Sequence, residues 1–79
     1  VKCLTFANAD VAEFKVKEGS AITKRKVKDL GLPKGTTIGG LIRNGEGIVV
    51  TGDTQIQPKD HVVVFCLSMM IKKIEKFFN

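Results

Sequence analysis

Two adjacent glycines and an arginine three positions later, Gly39, Gly40 and Arg43, are the residues whose types and spacing best suit ligand contact. Glycine inside a strand marks a bulge or the close approach of another backbone or a ligand. Arginine presents a planar fork that matches a carboxylate or a phosphate. The three are therefore the candidate ligand-binding residues. The plainer reading is that the glycines serve packing and Arg43 pairs with Glu46 at the surface, worth ~0.2–1 kcal/mol. A nucleotide loop fits less well: Gly39-Gly40 and Gly45-x-Gly47 lie inside and at the tip of a hairpin pattern. A dinucleotide fingerprint instead needs G-x-G-x-x-G between strand and helix, and a P-loop needs a lysine-serine pair.

Catalysis lacks its parts. His61 is the single histidine and heads an apolar run without a nucleophile beside it. Ser20 and Ser68 stand at turn or cap positions, outside any G-x-S-x-G. Asp53 and Asp60 open or close turns, where aspartate commonly bonds its own backbone. No cluster of His, Cys and Asp has metal-ligand spacing. Cys3 and Cys66 are too far apart in sequence for a knuckle or a C-x-x-C motif, and they read as buried structural thiols of a reducing compartment. The sequence thus predicts no catalytic residue, no metal and no cofactor held within this domain.

The elements that position these residues are legible as patterns. From Ala12 to Glu18 apolar and charged residues alternate, the period-two mark of a half-buried strand, and Gly19-Ser20 ends it. Thr23 suits the N-cap of a short helix reaching Leu30, with Gly31 and Pro33 as stop signals. Between Thr36 and Leu67 lie three strands. Asn44-Gly45 predicts a type I′ hairpin that sets Arg43 against Glu46, Leu41 against Ile48, Gly40 against Val49 and Gly39 against Val50. His61 to Leu67 has no alternation, as a central strand covered on both faces would show. A short extra pairing near Thr54 to Gln57 is an added expectation. Ser68 can cap a last helix whose Met70, Ile71, Ile74, Phe77 and Phe78 form one apolar stripe. Folded over the sheet, that helix closes a two-layer core. The expected fold is an α+β two-layer sandwich: a mainly antiparallel sheet, a short helix after the first strand and a C-terminal amphipathic helix.

Composition sets the outer bounds. The 79 residues, 43% apolar and 27% charged, make one small globular domain, for which dimerisation would add stability. Its longest apolar run falls well short of the ~20 residues of a membrane span. The net charge of +5 comes largely from Lys24-Arg25-Lys26-Lys28 and Lys72-Lys73-Lys76. Solvated helix faces explain both groups; the sharper alternative is attraction to an anionic ligand, lipid or partner. A small basic nucleic-acid-binding module is a rival reading, weakened by phenylalanines that sit at core positions and give no stacking platform. Beginning at Val1 in abruptly apolar sequence, the chain reads as a piece of a longer protein, with residues 1–10 as a linker or the end of a preceding helix.

The order IGGLIRNGEGIVVTGDTQIQPKDHVVVF, led by Phe14 to Ser20 and by Val27-Lys28-Asp29-Leu30-Gly31-Leu32-Pro33, resembles the C-terminal regulatory domain of TrkA-type potassium-uptake proteins, the TrkA-C or RCK-C domain. The likeness runs from about Val11 to Phe78, with 11–79 as the domain. Lys59 departs from it, standing where a glycine commonly precedes the aspartate. The resemblance implies a non-enzymatic, cytoplasmic, ligand-sensing and dimerising domain, held to the inner face of the membrane through a membrane-embedded potassium transporter subunit. It also implies NAD or ATP binding on a separate N-terminal domain and, as in some relatives, regulatory cyclic di-AMP at the interface of a homodimer, with no nucleic acid. A regulatory domain of another transporter or antiporter would share the same pattern.

Overall fold

A computed structural model describes residues 2–79. The elements run β1 (Lys2–Thr5), β2 (Ala9–Lys15), two 3-10 turns (Ala21–Thr23 and Val27–Asp29), β3 (Thr37–Arg43), β4 (Glu46–Ile48), β5 (His61–Leu67), a third 3-10 turn (Ser68–Met70) and α1 (Ile71–Phe78). The strands form one sheet in the order β1-β2-β5-β3-β4, and every neighbouring pair is antiparallel. The expected α+β sandwich, a mainly antiparallel sheet beneath a C-terminal helix, is the architecture found.

Alternation decides which side chains enter the core. Ala12, Phe14 and Val16 from the β2 segment and Val62, Val64 and Cys66 from β5 point to one face, each no more than 5% exposed. Ile22, Ile56, Ile74 and Phe78 cover them from the second layer. Ring stacking locks the helix down: the centroids of Phe14 and Phe78 lie 4.2 Å apart with planes 4° from parallel. Met70, Ile71 and Phe77 pack against the same core cluster, so the stripe read from sequence is the core-facing side of α1 and of the turn that leads into it.

Several local expectations are corrected. Residues 1–10 do not trail as a linker: Lys2–Thr5 is an edge strand paired with Asp10 to Glu13 of β2, which itself begins at Ala9 rather than Ala12; Val1 lies outside the described residues. The segment from Thr23 to Leu30 is not a capped helix but two 3-10 turns. Its amides bond outward, Val27 N–H to the Thr54 carbonyl and Lys28 N–H to that of Gly52, so the 51–54 turn replaces helical partners. The Thr23 hydroxyl donates back to the Ser20 carbonyl. Ser68 does not cap α1 either: its hydroxyl donates to Asp10 Oδ1 at 3.1 Å, and the cap position falls on Met70. Thr54 to Gln57 pairs with no strand among the described residues.

The hairpin holds where the turn dictates and fails beyond it. Asn44 (φ 52°) and Gly45 (φ 80°) adopt the left-handed pair a type I′ turn needs, with Arg43 opposite Glu46 and Leu41 opposite Ile48. β4 stops at Ile48, so Gly40–Val49 and Gly39–Val50 do not pair. On its other side β3 slips register between Ile38 and Gly40 against β5, leaving Gly39 as the extra residue of a bulge.

Candidate functional site

β5 is covered on one face only, contrary to the reading of its unbroken apolar run. Val62, Val64 and Cys66 are buried, but Phe65 is 47% and Leu67 42% exposed, with Val63 half-buried between the two sets. The helix and the residues that cover the core pack on the other side of the sheet, while the loop at Gly35 approaches Leu67 on this one. Leu4 and Val11, directly paired, extend the uncovered face toward the β1 edge; Gly40, opposite Val63, and Ile42 extend it toward β4. Contiguous apolar surface of this kind is uncommon on a folded domain left unpartnered.

Two hollows flank Val63 on this face. One, of about 380 Å³, is lined by Gly39, Gly40, Ile42, Ile48, Val63 and Phe65. The other, of about 340 Å³, is lined by Cys3, Leu4, Val11, Glu13 and Val63. The glycines make the first. The Phe65 ring lies over Gly39 so closely that a Cβ there would sit 2.4 Å from Cε2. At Gly40 the same atom would meet the Ile48 carbonyl oxygen at 3.2 Å. The bulge thus lets an aromatic ring lie close against bare backbone, beside an open apolar cup.

Arg43 does not join the glycines. It alternates with Ile42 and so shares the face of buried Leu41, where its guanidinium is committed within the chain. Nε donates to Asp60 Oδ1 at 2.9 Å, Nη2 to Asp60 Oδ2 at 2.8 Å, and Nη2 also to the Gln55 carbonyl at 3.2 Å. The Gln57 N–H completes the cluster by donating to Asp60 Oδ2 at 2.9 Å. The expected surface pair with Glu46 is therefore replaced by a fork on a carboxylate that is 1% exposed. Burial on its own would raise the Asp60 pKa; the Arg43 hydrogen bonds, the Gln57 N–H and the nearby positive charge outweigh it and hold the group below the usual carboxylate range. Arg43 is pushed upward by the same hydrogen bond, against desolvation.

Of the three candidate residues, then, Gly39 and Gly40 line one hollow and Arg43 braces the hairpin to the 55–60 segment. Phe65 is the functional candidate that sequence reasoning passed over. Its signal was present in the unalternated run His61 to Leu67, too apolar for a chain with a single covering layer.

The chain matches the TrkA-C domain profile over residues 11–79. It is 36% identical over 70 residues to the Trk system potassium uptake protein TrkA of Azorhizobium caulinodans, a match covering 89% of this chain and 15% of that protein. The TrkA homolog of Archaeoglobus fulgidus is 36% identical over 64 residues, covering 81% and 15%. The chain thus spans less than a sixth of the length of either relative. A solved structure described as an RCK domain with cda shares the fold, with a TM-score of 0.70 at 20% identity over 87% of this chain and 97% of that one.

Proposed function

The chain belongs to the TrkA-C domain family, and from that premise we propose that it is the non-enzymatic regulatory domain of a cytoplasmic subunit governing potassium uptake, acting by pairing with a second copy and sensing a small ligand in the pair. The uncovered apolar face carried by Phe65, Val63, Ile42, Val11 and Leu4 is the observation that supports this reading. A two-fold axis across that face sets each hollow against the same surface of the other copy, the self-complementary geometry of a closed dimer. The small domain gains a second hydrophobic layer where its own fold supplies none.

The proposed mechanism is a population shift. A ligand held between two copies favours one relative geometry, and each ~1.4 kcal/mol of differential affinity changes the ratio of states about tenfold. Cyclic di-AMP is the ligand proposed for the pair; NAD and ATP belong to another domain of the parent protein. A membrane-embedded transporter subunit would read the change of geometry; no helix among the described residues is long and apolar enough to cross a membrane.

Sedimentation velocity tests the pairing. The wild-type domain is expected to be dimeric at micromolar concentration, and Phe65→Lys, at an exposed position, to be a folded monomer by circular dichroism. A wild-type domain that stays monomeric to millimolar concentration overturns the reading. Titration with cyclic di-AMP, ATP and NAD is expected to perturb the face around Phe65 with the first alone; tight NAD binding at that face would contradict the division of roles.

A further inference from the structure

Away from the open apolar cup, a concavity of about 450 Å³ lies where β2 runs out against the turn at residues 57–60. Lys15, Lys17 and Lys59 line it, with Val16, Glu18 and Pro58 forming the remaining wall. The backbone explains how the third lysine arrives. Lys59 N–H donates to the Val16 carbonyl and Val16 N–H to the Asp60 carbonyl, so Lys59 and Asp60 together oppose one residue in a bulge. Pro58 leads a turn closed by Asp60 N–H on the Gln57 carbonyl, and Lys59, at φ 75°, holds its left-handed corner. Glycine suits that corner without strain; here a cation occupies it.

The charge balance in the cleft is positive. Among the described residues the ion pairs are Lys28–Asp53 and Arg43–Asp60, so none of the three lysines has a carboxylate at ion-pair distance. Glu18 is the one acidic residue on the wall, and Glu75 lines an adjoining hollow that shares Lys15 and Lys17. Asp60, next in sequence to Lys59, is already matched by Arg43. Three lysines line one concave wall, largely through their apolar stems, and their charges raise the positive potential at its rim; lysine binds phosphate as a point charge.

We propose that this cleft binds a small soluble polyanion of the phosphate class, a di- or triphosphate group, at a site separate from the hollow over Gly39 and Gly40, with which it shares no lining residue. The volume lies within the range of small-molecule sites. The inference stands whether or not two copies pair.

Titration of the ¹⁵N-labelled domain with sodium tripolyphosphate at low ionic strength tests it. Saturable one-to-one shifts are expected at Lys15, Lys17, Glu18 and Lys59, with affinity falling steeply as salt is added. Lys59→Gly removes one cation while suiting the left-handed corner, so the protein stays folded; binding is expected to weaken roughly tenfold. Lys72→Ala on α1 should bind as the wild type does. Equal affinity for Lys59→Gly and wild type, or shifts spread evenly over Lys24 to Lys28 and α1, overturns the site. Sedimentation with phosphatidylglycerol vesicles that Lys59→Gly abolishes, in a protein showing no tripolyphosphate shifts, would assign the cleft to lipid headgroups and overturn the soluble ligand.

Discussion

Arg43, at the end of β3, grips both carboxylate oxygens of Asp60, at 2.9 and 2.8 Å, and so ties the hairpin to the turn before β5. The carboxylate is nearly inaccessible while the guanidinium side chain keeps 27% exposure, an arrangement in which losing one partner strands a buried charge. Asp60→Asn is expected to cost about 1.5–3 kcal/mol at neutral pH, read from urea unfolding. The depressed Asp60 pKa fixes the pH dependence. Its stabilisation is fully present above the unfolded carboxylate range near pH ~4 and is lost as pH falls through the lower folded value. The gap between wild type and variant should therefore be flat from neutral pH down to about 5 and close in stronger acid. A gap that widened in acid would contradict the ion pair.

The ring of Phe65 on bare Gly39 makes a coupled pair. Gly39→Ala places a methyl 2.4 Å from Cε2, so the ring must leave its seat or the bulge must shift. A cost of about 1–3 kcal/mol is expected, together with weaker self-association. In a Phe65→Ala background the same substitution should cost less than about 0.5 kcal/mol, because the obstructing ring is gone. Additive effects in this cycle would show that the ring does not constrain Gly39.

Legibility followed the range of the interactions. The Asn44-Gly45 turn, the alternation of the β2 segment and the stripe on α1 are local patterns, and each was readable because local geometry decides it. The segment after β2 reads as a helix in sequence but is not one, because the Val27 and Lys28 amides of its second 3-10 turn bond to the 51–54 turn, a partner some 25 residues away. β1 was missed since Lys2–Thr5 is an edge strand whose pairing depends on β2. Gly39 and Gly40 announced a close approach, but not that a phenylalanine ring makes it. Arg43 was recognised as a carboxylate or phosphate fork; its carboxylate turned out to be Asp60 of the same chain.

Lys59 is held in a conformation that costs an L-residue about 1–2 kcal/mol and glycine far less. Glycine loses some of that advantage through its freer unfolded chain. Lys59→Gly should therefore stabilise the domain by about 0.5–1 kcal/mol, a gain of a few degrees in thermal midpoint. Lys59→Ala, which keeps the strain and loses only the charge, should show no such gain. Equal midpoints for the two variants would mean that the corner is unstrained.

The two thiols differ in access. Cys3 is exposed on the edge strand, whereas Cys66 is buried in β5. Burial, then the neighbouring Asp10 and Cys3, push the Cys66 thiol up and keep it protonated. With Ellman's reagent at neutral pH one thiol should react promptly and the second only after denaturant is added. Cys3→Ser should remove the fast phase and leave the slow one.

Phe77 and Phe78 end the chain's last turn side by side, and the structure separates their roles. Phe78 is 4% exposed and stacks on Phe14, joining α1 to the sheet, while Phe77 is half-buried at the edge of the same cluster. Removing the stacked ring opens a cavity between the two layers and frees an eight-residue helix that is too short to persist alone. Phe78→Ala is thus expected to cost about 3–5 kcal/mol and to abolish the helical part of the far-ultraviolet spectrum well before the sheet unfolds. Phe77→Ala should cost roughly half as much, since less of the ring leaves water. Equal losses at the two positions would mean that the stack does not hold α1 in place, and the covered face of the sheet would then need another source of its stability.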